Sequence, residues 1–289
     1  MEEKQTKAGL ISDLKAIGIQ PGELLHIKVS MRSLGKIEGG AEALLEALIE
    51  VIGTEGTLVC DSFINSYPLP FKGDLKQYLV DDMTLTYAGA FARTMVNHPD
   101  NVRSQHPIKK FSAIGKRAKE LMLNHTVGCF AYNPLLIMAQ EGAKNLTIGK
   151  NVQGVGTTHV AVHLVGLQRK KPKEGVVYRD KDGELQEYRV DWNGGHGNFL
   201  KFKPLYEAKG GIIKRADIGK AESILTDMKK TLEIEIEKLK EDPAFFFCDN
   251  PACKSCRLSW DHSTGKLFEV YYHLARAKVR KIISKYIKQ

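Results

Sequence analysis

Between Leu24 and Cys60 the chain passes through a strand, a glycine-rich turn, a helix and a second strand, and this order constrains the fold more than any other feature. Leu24–Val29 and residues 56–60 are short apolar runs of the kind found in buried strands. Residues 41–52 carry leucine, isoleucine and valine on one face and glutamates on the other, which predicts an amphipathic helix. Two strands joined by a helix over roughly 35 residues predict a βαβ unit with a parallel strand pair.

The rest of the chain continues this mixture of helices and strands. Further helices are predicted at residues 87–96, 116–123, 221–239 and 267–287, and further strands at 111–114 and 145–148. Residues 158–166 fit a helix or a strand, and residues 175–190 predict a hairpin around Asp182-Gly183. The predicted class is therefore α/β, with a mixed central sheet flanked by helices.

The composition and charge set limits on location and partners. With 43% hydrophobic and 27% charged residues, the chain is typical of a globular protein. No apolar run reaches the length of a bilayer crossing, and the charged N-terminus lacks a secretory signal, so we expect a cytoplasmic protein. A net charge of +9 favours anionic partners, but a solvated lysine-rich surface explains it equally, and much of the excess lies in the last predicted helix.

The turn after the first strand is a candidate anion site. Residues 30–40 read SMRSLGKIEGG, and two glycines directly before a helix leave its N-terminal amides free to face a pyrophosphate or a pantetheine arm. The spacing matches neither a Walker loop nor a dinucleotide fingerprint, so an ordinary polar loop is the alternative. The candidate binding residues are Ser30, Met31, Arg32, Ser33, Leu34, Gly35, Gly39 and Gly40.

Four ordered motifs resemble the aminoglycoside 3-N-acetyltransferase family. The first motif is residues 27–59, which contain Ser-Leu-Gly, then Gly-Gly, and end in Gly-Thr-Leu-Val. The second consists of the Arg-Ser-Gln-His-Pro run at 103–107 together with residues 111–115. The third lies within residues 142–164 and contains Thr157-Thr158-His159, and the fourth is residues 217–221, which we expect to open a late helix. The resemblance covers roughly residues 10–243 and implies an antibiotic N-acetyltransferase-like fold.

That resemblance implies acetyl transfer from acetyl-CoA to an amine, in a ternary complex and without a covalent enzyme intermediate. It makes His159 the candidate general base, with Thr158 beside it and Ser104 among the CoA-binding residues. His106 either lines the substrate or thioester pocket or is a turn residue packed under the loop. Without the resemblance, core histidines are the commoner interpretation of His159 and His163; a metal pair at i and i+4 is also open, although no HExxH pattern supports it. Two positions depart from the family pattern, because Lys28-Val29 replaces His-Ser and Val162 replaces the glutamate after the base.

The expected acceptor is an amino sugar, a sugar nucleotide or an aminoglycoside. A chain with a net charge of +9 does not favour polycationic antibiotics. The competing class is a zinc-containing, non-enzymatic module that binds nucleic acid or a protein partner. Nucleic acid is the weaker of these partners, because the basic residues are not interleaved with aromatics in an RNA- or DNA-binding motif. A homodimer also stays open.

A cysteine cluster sets the C-terminal end of the chain apart. Cys248, Cys253 and Cys256, followed by His262, have a spacing suited to a structural zinc ion, with three reduced thiols as the alternative. We therefore divide the chain into an acetyltransferase core at 1–247 and a small element at 248–289. The last helix of that element is expected to pack its apolar face on the core and to expose a basic face of Arg276, Lys278, Arg280, Lys281 and Lys285.

Overall fold

Seven strands form the central sheet, and helices cover both of its faces. The computed structural model describes residues 4–149, 154–170, 174–190 and 197–286. The helices are α1 (Lys7–Ile17), α2 (Gly40–Ile52), α3 (Ala90–Val96), α4 (Ala118–Leu123), α5 (Asn133–Gln140), α6 (Thr158–Leu164), α7 (Lys203–Ala208), α8 (Met228–Glu241), α9 (Lys254–Leu258) and α10 (Leu267–Tyr286). The strands are β1 (Leu24–Val29), β2 (Thr57–Asp61), β3 (Tyr67–Pro68), β4 (Val102–Arg103), β5 (Phe111–Gly115), β6 (Lys144–Ile148), β7 (Glu174–Arg179), β8 (Leu185–Arg189), β9 (Ile212–Ile218) and β10 (Ala221–Asp227).

The central sheet is mixed, as predicted. Its order is β4-β5-β2-β1-β6-β10-β9. Strand β1 pairs in parallel with both β2 and β6, with Leu25 opposite Leu58, so the predicted βαβ unit is confirmed. The outer strands β4, β5, β9 and β10 are all antiparallel to their neighbours. The carboxyl ends of the three parallel strands therefore meet at one edge, which is where α/β proteins commonly bind ligands.

The two faces of the sheet carry two separate apolar cores. Helices α1, α2 and α3 cover one face, where Leu25, Ile27 and Leu58 are fully or almost fully buried. Helices α5, α6 and α8 cover the other face, where Val59 belongs to the core but His26 and Asn145 stand among the buried residues. Because side chains alternate along a strand, the polar members of β1 all face this second layer. Buried polar groups on an otherwise apolar face mark it as the face to search for chemistry.

The late helix predicted at residues 221–239 is wrong in its first part. Residues 221–227 form β10, which is hydrogen-bonded between β6 and β9, and the helix begins only at Met228. Residues 217–221, which we expected to open that helix, instead join β9 to β10. The helix-like spacing of apolar residues continues through the strand, and pairing on both sides outweighs it. Asp227 accepts a hydrogen bond from the Lys230 amide at 2.9 Å and so caps the true start of α8.

The hairpin forms a second, smaller sheet. Strands β7 and β8 pair across the turn that contains Gly183, as predicted, and β3 adds to β7 in the order β3-β7-β8. Residues 158–166, for which helix and strand were both open, form the helix α6.

The last helix does not pack as predicted. Over the described part of α10 only Val270 is buried, while Phe268, Tyr272 and Ile282 are more than half exposed. The physical reason is that a single turn of the helix contacts the preceding residues and the remainder extends beyond them. None of the helices among the described residues combines the length and apolar character needed to cross a bilayer.

Candidate active site

Three ionisable side chains meet where β1 and β2 end. His26 Nε2 lies 3.1 Å from Asp61 Oδ1, and Lys28 Nζ lies 3.8 Å from Asp61 Oδ2. The parallel register places Ile27 opposite Cys60, so the two ends of the strands are level and the three side chains share one face. Burial alone would raise the pKa of Asp61, but the Lys28 ammonium and the His26 hydrogen bond lower it to about 2. Asp61 is therefore a carboxylate at neutral pH.

The buried His26 ring is held from both sides. Its Nδ1 lies 2.8 Å from Asn145 Oδ1 on the neighbouring strand β6. Gly156, with φ of +91°, lies directly against the ring, because a Cβ atom at this position would stand 3.1 Å from His26 Cε1. Glycine fits this position because it adopts a positive φ readily and has no side chain to collide with the ring. This close approach sets the start of α6 directly over the polar end of β1.

His159 lies in the first turn of α6, at the position that this contact fixes. Its ring stacks on that of Tyr132, with centroids 4.5 Å apart and planes inclined by 18°, and meets Phe199 edge-on at 5.1 Å. The residue is half-buried, and its Nδ1 is buried with no hydrogen-bond partner among the described residues. Burial, followed by the positive charges of Lys109 and Lys28, lowers the pKa of His159 to about 3. The imidazole is therefore neutral at pH 7, which is the form a general base needs, although the lowered pKa makes it a weaker base than a solvent-exposed histidine.

Lys109 brings a second positive charge to this site. Its ammonium lies 4.1 Å above the Phe63 ring and 5.7 Å from the centroid of the Tyr132 ring, on which His159 also stacks. The residue is 7% exposed, and burial lowers the pKa of Lys109 to about 8 despite the nearby Asp61. It is therefore mostly protonated at pH 7.

His106 supports the segment that carries Lys109. Its Nδ1 accepts hydrogen bonds from the backbone amides of Ile108 at 3.2 Å and Lys109 at 3.0 Å, and its Nε2 lies 3.2 Å from the Tyr188 hydroxyl. Burial lowers the pKa of His106 to about 2. His106 is fully buried and bonded within the protein, which favours the packed turn residue among the two positions that the sequence left open for it.

Ser104 occupies a similar buried position. Its hydroxyl accepts a hydrogen bond from the Phe111 amide at 2.9 Å and lies 3.1 Å from His125 Nδ1. The His125 ring in turn stacks on His106 at 4.8 Å. The structure therefore groups Ser104 with the buried residues that support the Lys109 turn.

Thr158 joins α6 to a buried acid that the sequence did not reveal. Its hydroxyl donates to Glu235 Oε1 at 2.6 Å, and the Tyr206 hydroxyl donates to the same oxygen. Burial raises the pKa of Glu235 to about 7, even though these hydrogen bonds favour the charged form. Glu235 Oε2 is also buried and has no partner in the described structure. Glu235 therefore places a titratable acid at the start of α6, the helix that carries the candidate base His159.

The candidate CoA turn follows β1 directly. The Ser30 amide donates to Ile148 at the end of β6, and the Ser33 hydroxyl donates to that of Ser30 at 2.9 Å. Met31 and Ser33 are half-buried, Arg32 and Gly35 are exposed, and Leu34 is buried in the core. Gly39 and Gly40 both have positive φ at the start of α2, but the Gly40 amide donates to the Ile37 carbonyl at 3.2 Å and is therefore not open, contrary to the expectation. The turn and α6 thus lie at the same edge of the sheet.

The three clustered cysteines come together as the sequence predicted. The sulfur atoms of Cys248, Cys253 and Cys256 all lie within 4.8 Å of one another. His262 is not part of that group; its ring stacks on Phe247, with centroids 5.3 Å apart.

Several residues of this site escaped sequence reasoning. His26 lies within an apolar strand, and Asp61 lies at the end of another. Tyr132 has the sequence surroundings of an ordinary core residue, and Glu235 those of an amphipathic helix. The available signal was positional, because polar side chains at the carboxyl ends of parallel strands converge. Lys28 was noted only as a departure from a motif. No local sequence pattern identifies Glu235, because its hydrogen-bond partners Thr158 and Tyr206 precede it by 77 and 29 residues.

Solved structures share this fold. AAC-IIIb, solved as a binary complex with CoASH, superimposes with a TM-score of 0.73 over 83% of this chain and 97% of its own, at 20% sequence identity. At that identity the likeness shows the fold, a mixed α/β sheet flanked by helices, which confirms the predicted class.

Sequence comparison adds the family. The profile of the aminoglycoside 3-N-acetyltransferase family matches residues 26–240. Aminoglycoside N(3)-acetyltransferase III of Serratia marcescens is 26% identical over 182 residues, 57% of this chain and 67% of that protein. Aminoglycoside N(3)-acetyltransferase VII of Streptomyces paromomycinus is 26% identical over 267 residues, 82% of this chain and 92% of that protein. The chain belongs to the aminoglycoside 3-N-acetyltransferase family. It spans 63–67% of the length of the type III relatives that it matches.

Proposed function

We propose that the protein transfers an acetyl group from acetyl-CoA directly to a primary amine of a small molecule, with His159 as general base. The observation that carries this is the position of His159, a neutral, half-buried imidazole stacked on Tyr132 at the edge of the sheet where residues 30–40 also lie. An amine reaches the site mostly as an ammonium ion and must lose a proton before it attacks a thioester. A neutral imidazole within reach accepts that proton.

In this proposal the turn at residues 30–40 holds CoA. The support is its two serine hydroxyls and the start of α2, which no side chain caps, together with the CoASH complex of the structural relative AAC-IIIb. Exposed Arg32 gives the turn a positive charge suited to the CoA phosphates. Backbone amides of the same turn are the proposed donors to the oxyanion of the tetrahedral intermediate.

We propose an acceptor that carries an anionic group beside its amine, such as an amino sugar phosphate or a sugar nucleotide. The charges that act most strongly on His159 are those of Lys109 and Lys28, followed by the carboxylate Asp61 and then Arg169. A polycationic aminoglycoside would meet net positive charge in this surrounding, whereas a phosphate or carboxylate would offset it. The proposal therefore keeps the acetyl transfer of the family and changes the class of acceptor.

The test is acetyl-CoA consumption by the purified protein with matched acceptors. An amino sugar, its phosphate ester, a sugar nucleotide with a free amine and an aminoglycoside are compared at low ionic strength and again with added salt. We expect the anionic acceptors to give the highest kcat/KM, with an advantage that shrinks in salt. Preferred turnover of the aminoglycoside would overturn the acceptor class and leave acetyl transfer intact.

Thermal unfolding with added ligands tests the alternative that the protein is a non-enzymatic binding module. Binding of CoA raises the thermal midpoint of a CoA-dependent enzyme, because a ligand that binds only the folded state stabilises it. Stabilisation by RNA with no shift from CoA would reject the enzyme and support the binding module. A cytoplasmic location and a possible homodimer go with the proposal as predictions; size-exclusion chromatography with light scattering measures the second.

A further inference from the structure

The cysteine cluster is built by a short stretch of local structure. Cys248 follows the buried Phe246 and Phe247, Cys253 is the N-cap residue of α9, and Cys256 lies within that helix. The Cys248 amide donates to Cys256 Sγ at 3.4 Å, so a backbone N–H already faces one of the sulfurs. All three are free cysteines.

The spacing of the sulfurs matches a tetrahedral metal ion. Zinc binds thiolates at about 2.3 Å, which places two sulfurs of a tetrahedron about 3.8 Å apart. Three sulfurs already within 4.8 Å of one another reach that geometry through small side-chain movements. Packing alone explains the arrangement less well, because Cys253 is half-buried and a thiol that serves only as a small apolar group is normally buried completely.

The segment around the cluster has only a small apolar core of its own. Helix α9 has five residues, and a helix of that length is unstable without other contacts. From Cys248 to Tyr286, where side chains are described, few residues are buried, among them Cys256, Trp260 and Val270. Small elements with so small a core are commonly stabilised by a bound metal.

We propose that Cys248, Cys253 and Cys256 bind one Zn²⁺ as thiolates and that this ion fixes residues 248–261 against the chain that leaves α6. On binding, each thiol releases its proton to solvent, no electron is transferred, and three Zn–S bonds form. His262 or a water molecule fills the fourth position; the ring of His262 bonds the Pro243 backbone and leaves its buried Nε2 without a partner in the described structure. A histidine held in this way is a common zinc ligand.

The attachment to α6 is visible in the contacts of Arg169. Its guanidinium lies 5.0 Å above the ring of buried Trp260, and it donates to the Ser255 hydroxyl at 2.9 Å. Backbone hydrogen bonds add to this on both sides, from Lys170 to Ser259 and from Asp261 to Gln168. The proposed metal therefore stabilises the exit of the helix that begins next to His159, and it acts without touching the reacting groups.

The experiment measures metal content and stability, so it does not depend on the proposed acetyl transfer. The full-length protein is purified without chelators, and its zinc, iron and other metals are counted by plasma mass spectrometry. We expect one zinc per chain, absorption bands of tetrahedral cobalt–thiolate coordination after exchange into Co²⁺, and a lower thermal midpoint after chelation that zinc restores.

Matched variants assign the ligands. Cys253→Ser and Cys256→Ser should each lose the stoichiometric zinc and the cobalt bands, whereas Cys129→Ser, at a half-buried cysteine outside the cluster, should keep both. If a ligand variant does not fold, release of zinc from the unmodified protein by a mercurial thiol reagent shows that thiolates hold the ion. The proposal is overturned if the protein holds no zinc even after refolding with it, if it holds iron instead, or if two of the three cysteines form a disulfide in the reduced-buffer preparation.

Discussion

The ring of Tyr132 covers one face of the His159 imidazole, with centroids 4.5 Å apart, and Lys109 lies on the same aromatic cluster beyond it. The tyrosine fixes the plane of the imidazole and contributes to the burial that keeps it neutral. The charge of Lys109 also acts on the imidazole. The orientation, the protonation state and the electrostatic surroundings of the candidate base are thus set by two residues of other elements.

Replacing the candidate base should remove turnover and leave cofactor binding. We expect His159→Ala to lower kcat by about 10²- to 10⁴-fold, the usual contribution of a general base, with an unchanged Kd for CoA. His163→Ala is the control, because that residue lies one turn further along α6, is exposed and stacks on Phe130. Steady-state kinetics and calorimetric titration with CoA measure both quantities. A His159→Ala protein that keeps its turnover refutes the assignment.

A methyl group at Gly156 should disturb the seat of α6. The new Cβ would stand 3.1 Å from the His26 ring at a φ of +91°, so we expect Gly156→Ala to reduce both stability and kcat. Gly166→Ala separates strain from contact, since Gly166 also has positive φ but open space around it. Backbone strain alone costs about 1–3 kcal/mol in each variant. Urea unfolding should show the larger loss for Gly156→Ala; equal losses would mean that the His26 contact carries no weight.

The buried Glu235 should be needed as a hydrogen-bond acceptor. Glu235→Ala leaves the Thr158 and Tyr206 hydroxyls without their partner and should lower the free energy of unfolding by about 1–3 kcal/mol or more. Glu235→Gln keeps an acceptor oxygen and should lose less. Glu233→Ala, on the same helix at a half-exposed ion pair, should stay within about 0.5 kcal/mol of the unmodified protein. If the alanine and glutamine variants unfold at the same urea concentration, the acceptor role is wrong.

The buried histidines should make the fold sensitive to acid. Burial lowers the pKa of His125 to about 4, whereas in the unfolded chain it is near 6.5. Between those values the unfolded state binds the extra proton, so stability falls as pH falls from about 6.5 to 4, by about 1.4 kcal/mol per pH unit for this residue. His125→Gln removes that contribution, and the difference between the two unfolding free energies should therefore vary with pH over this window. A difference that is independent of pH would contradict the buried neutral state.

Lys109 should set the preference for anionic acceptors. We expect Lys109→Ala to lower kcat/KM for an anionic amine relative to a neutral one of similar size, while Lys116→Ala, at an exposed ion pair, leaves the ratio unchanged. Because the pKa of Lys109 is about 8, the preference in the unmodified protein should decline as pH rises through that value. The ratio of the two specificity constants is measured from pH 7 to 9. A ratio that Lys109→Ala does not alter would show that this charge does not select the acceptor.

The sequence predicted the elements whose signal is local and failed where long-range pairing decides. The βαβ unit, the hairpin and the clustering of the three cysteines depend on periodicity and spacing within short segments, and all three are confirmed. Strand β10 was missed because residues 221–227 share the helical spacing of the residues that follow them, and pairing with β6 and β9 makes them a strand. The exposed α10 was misjudged because an apolar face predicts burial without naming the surface that covers it.

Among the residues of the candidate site, too, only those within a contiguous motif could be predicted from the sequence. Thr158 and His159 were found because they belong to a contiguous motif, whereas Asp61, Lys109 and Glu235 reach the site from separate elements. His106 and Ser104 belong to a matching motif as well, but burial and internal hydrogen bonds give them a supporting position that no spacing reveals.

Helix α6 is held at both ends, at its start by Gly156 on the His26 ring and beyond its end by Arg169 on Trp260. Trp260 lies in the region that a designer would first remove when shortening this chain to a minimal catalytic fragment. Such a fragment, cut after residue 247, would keep the candidate base and lose the Arg169–Trp260 contact that holds the chain beyond its helix. Low activity of that fragment would then reflect a displaced helix and would not count against the candidate residues.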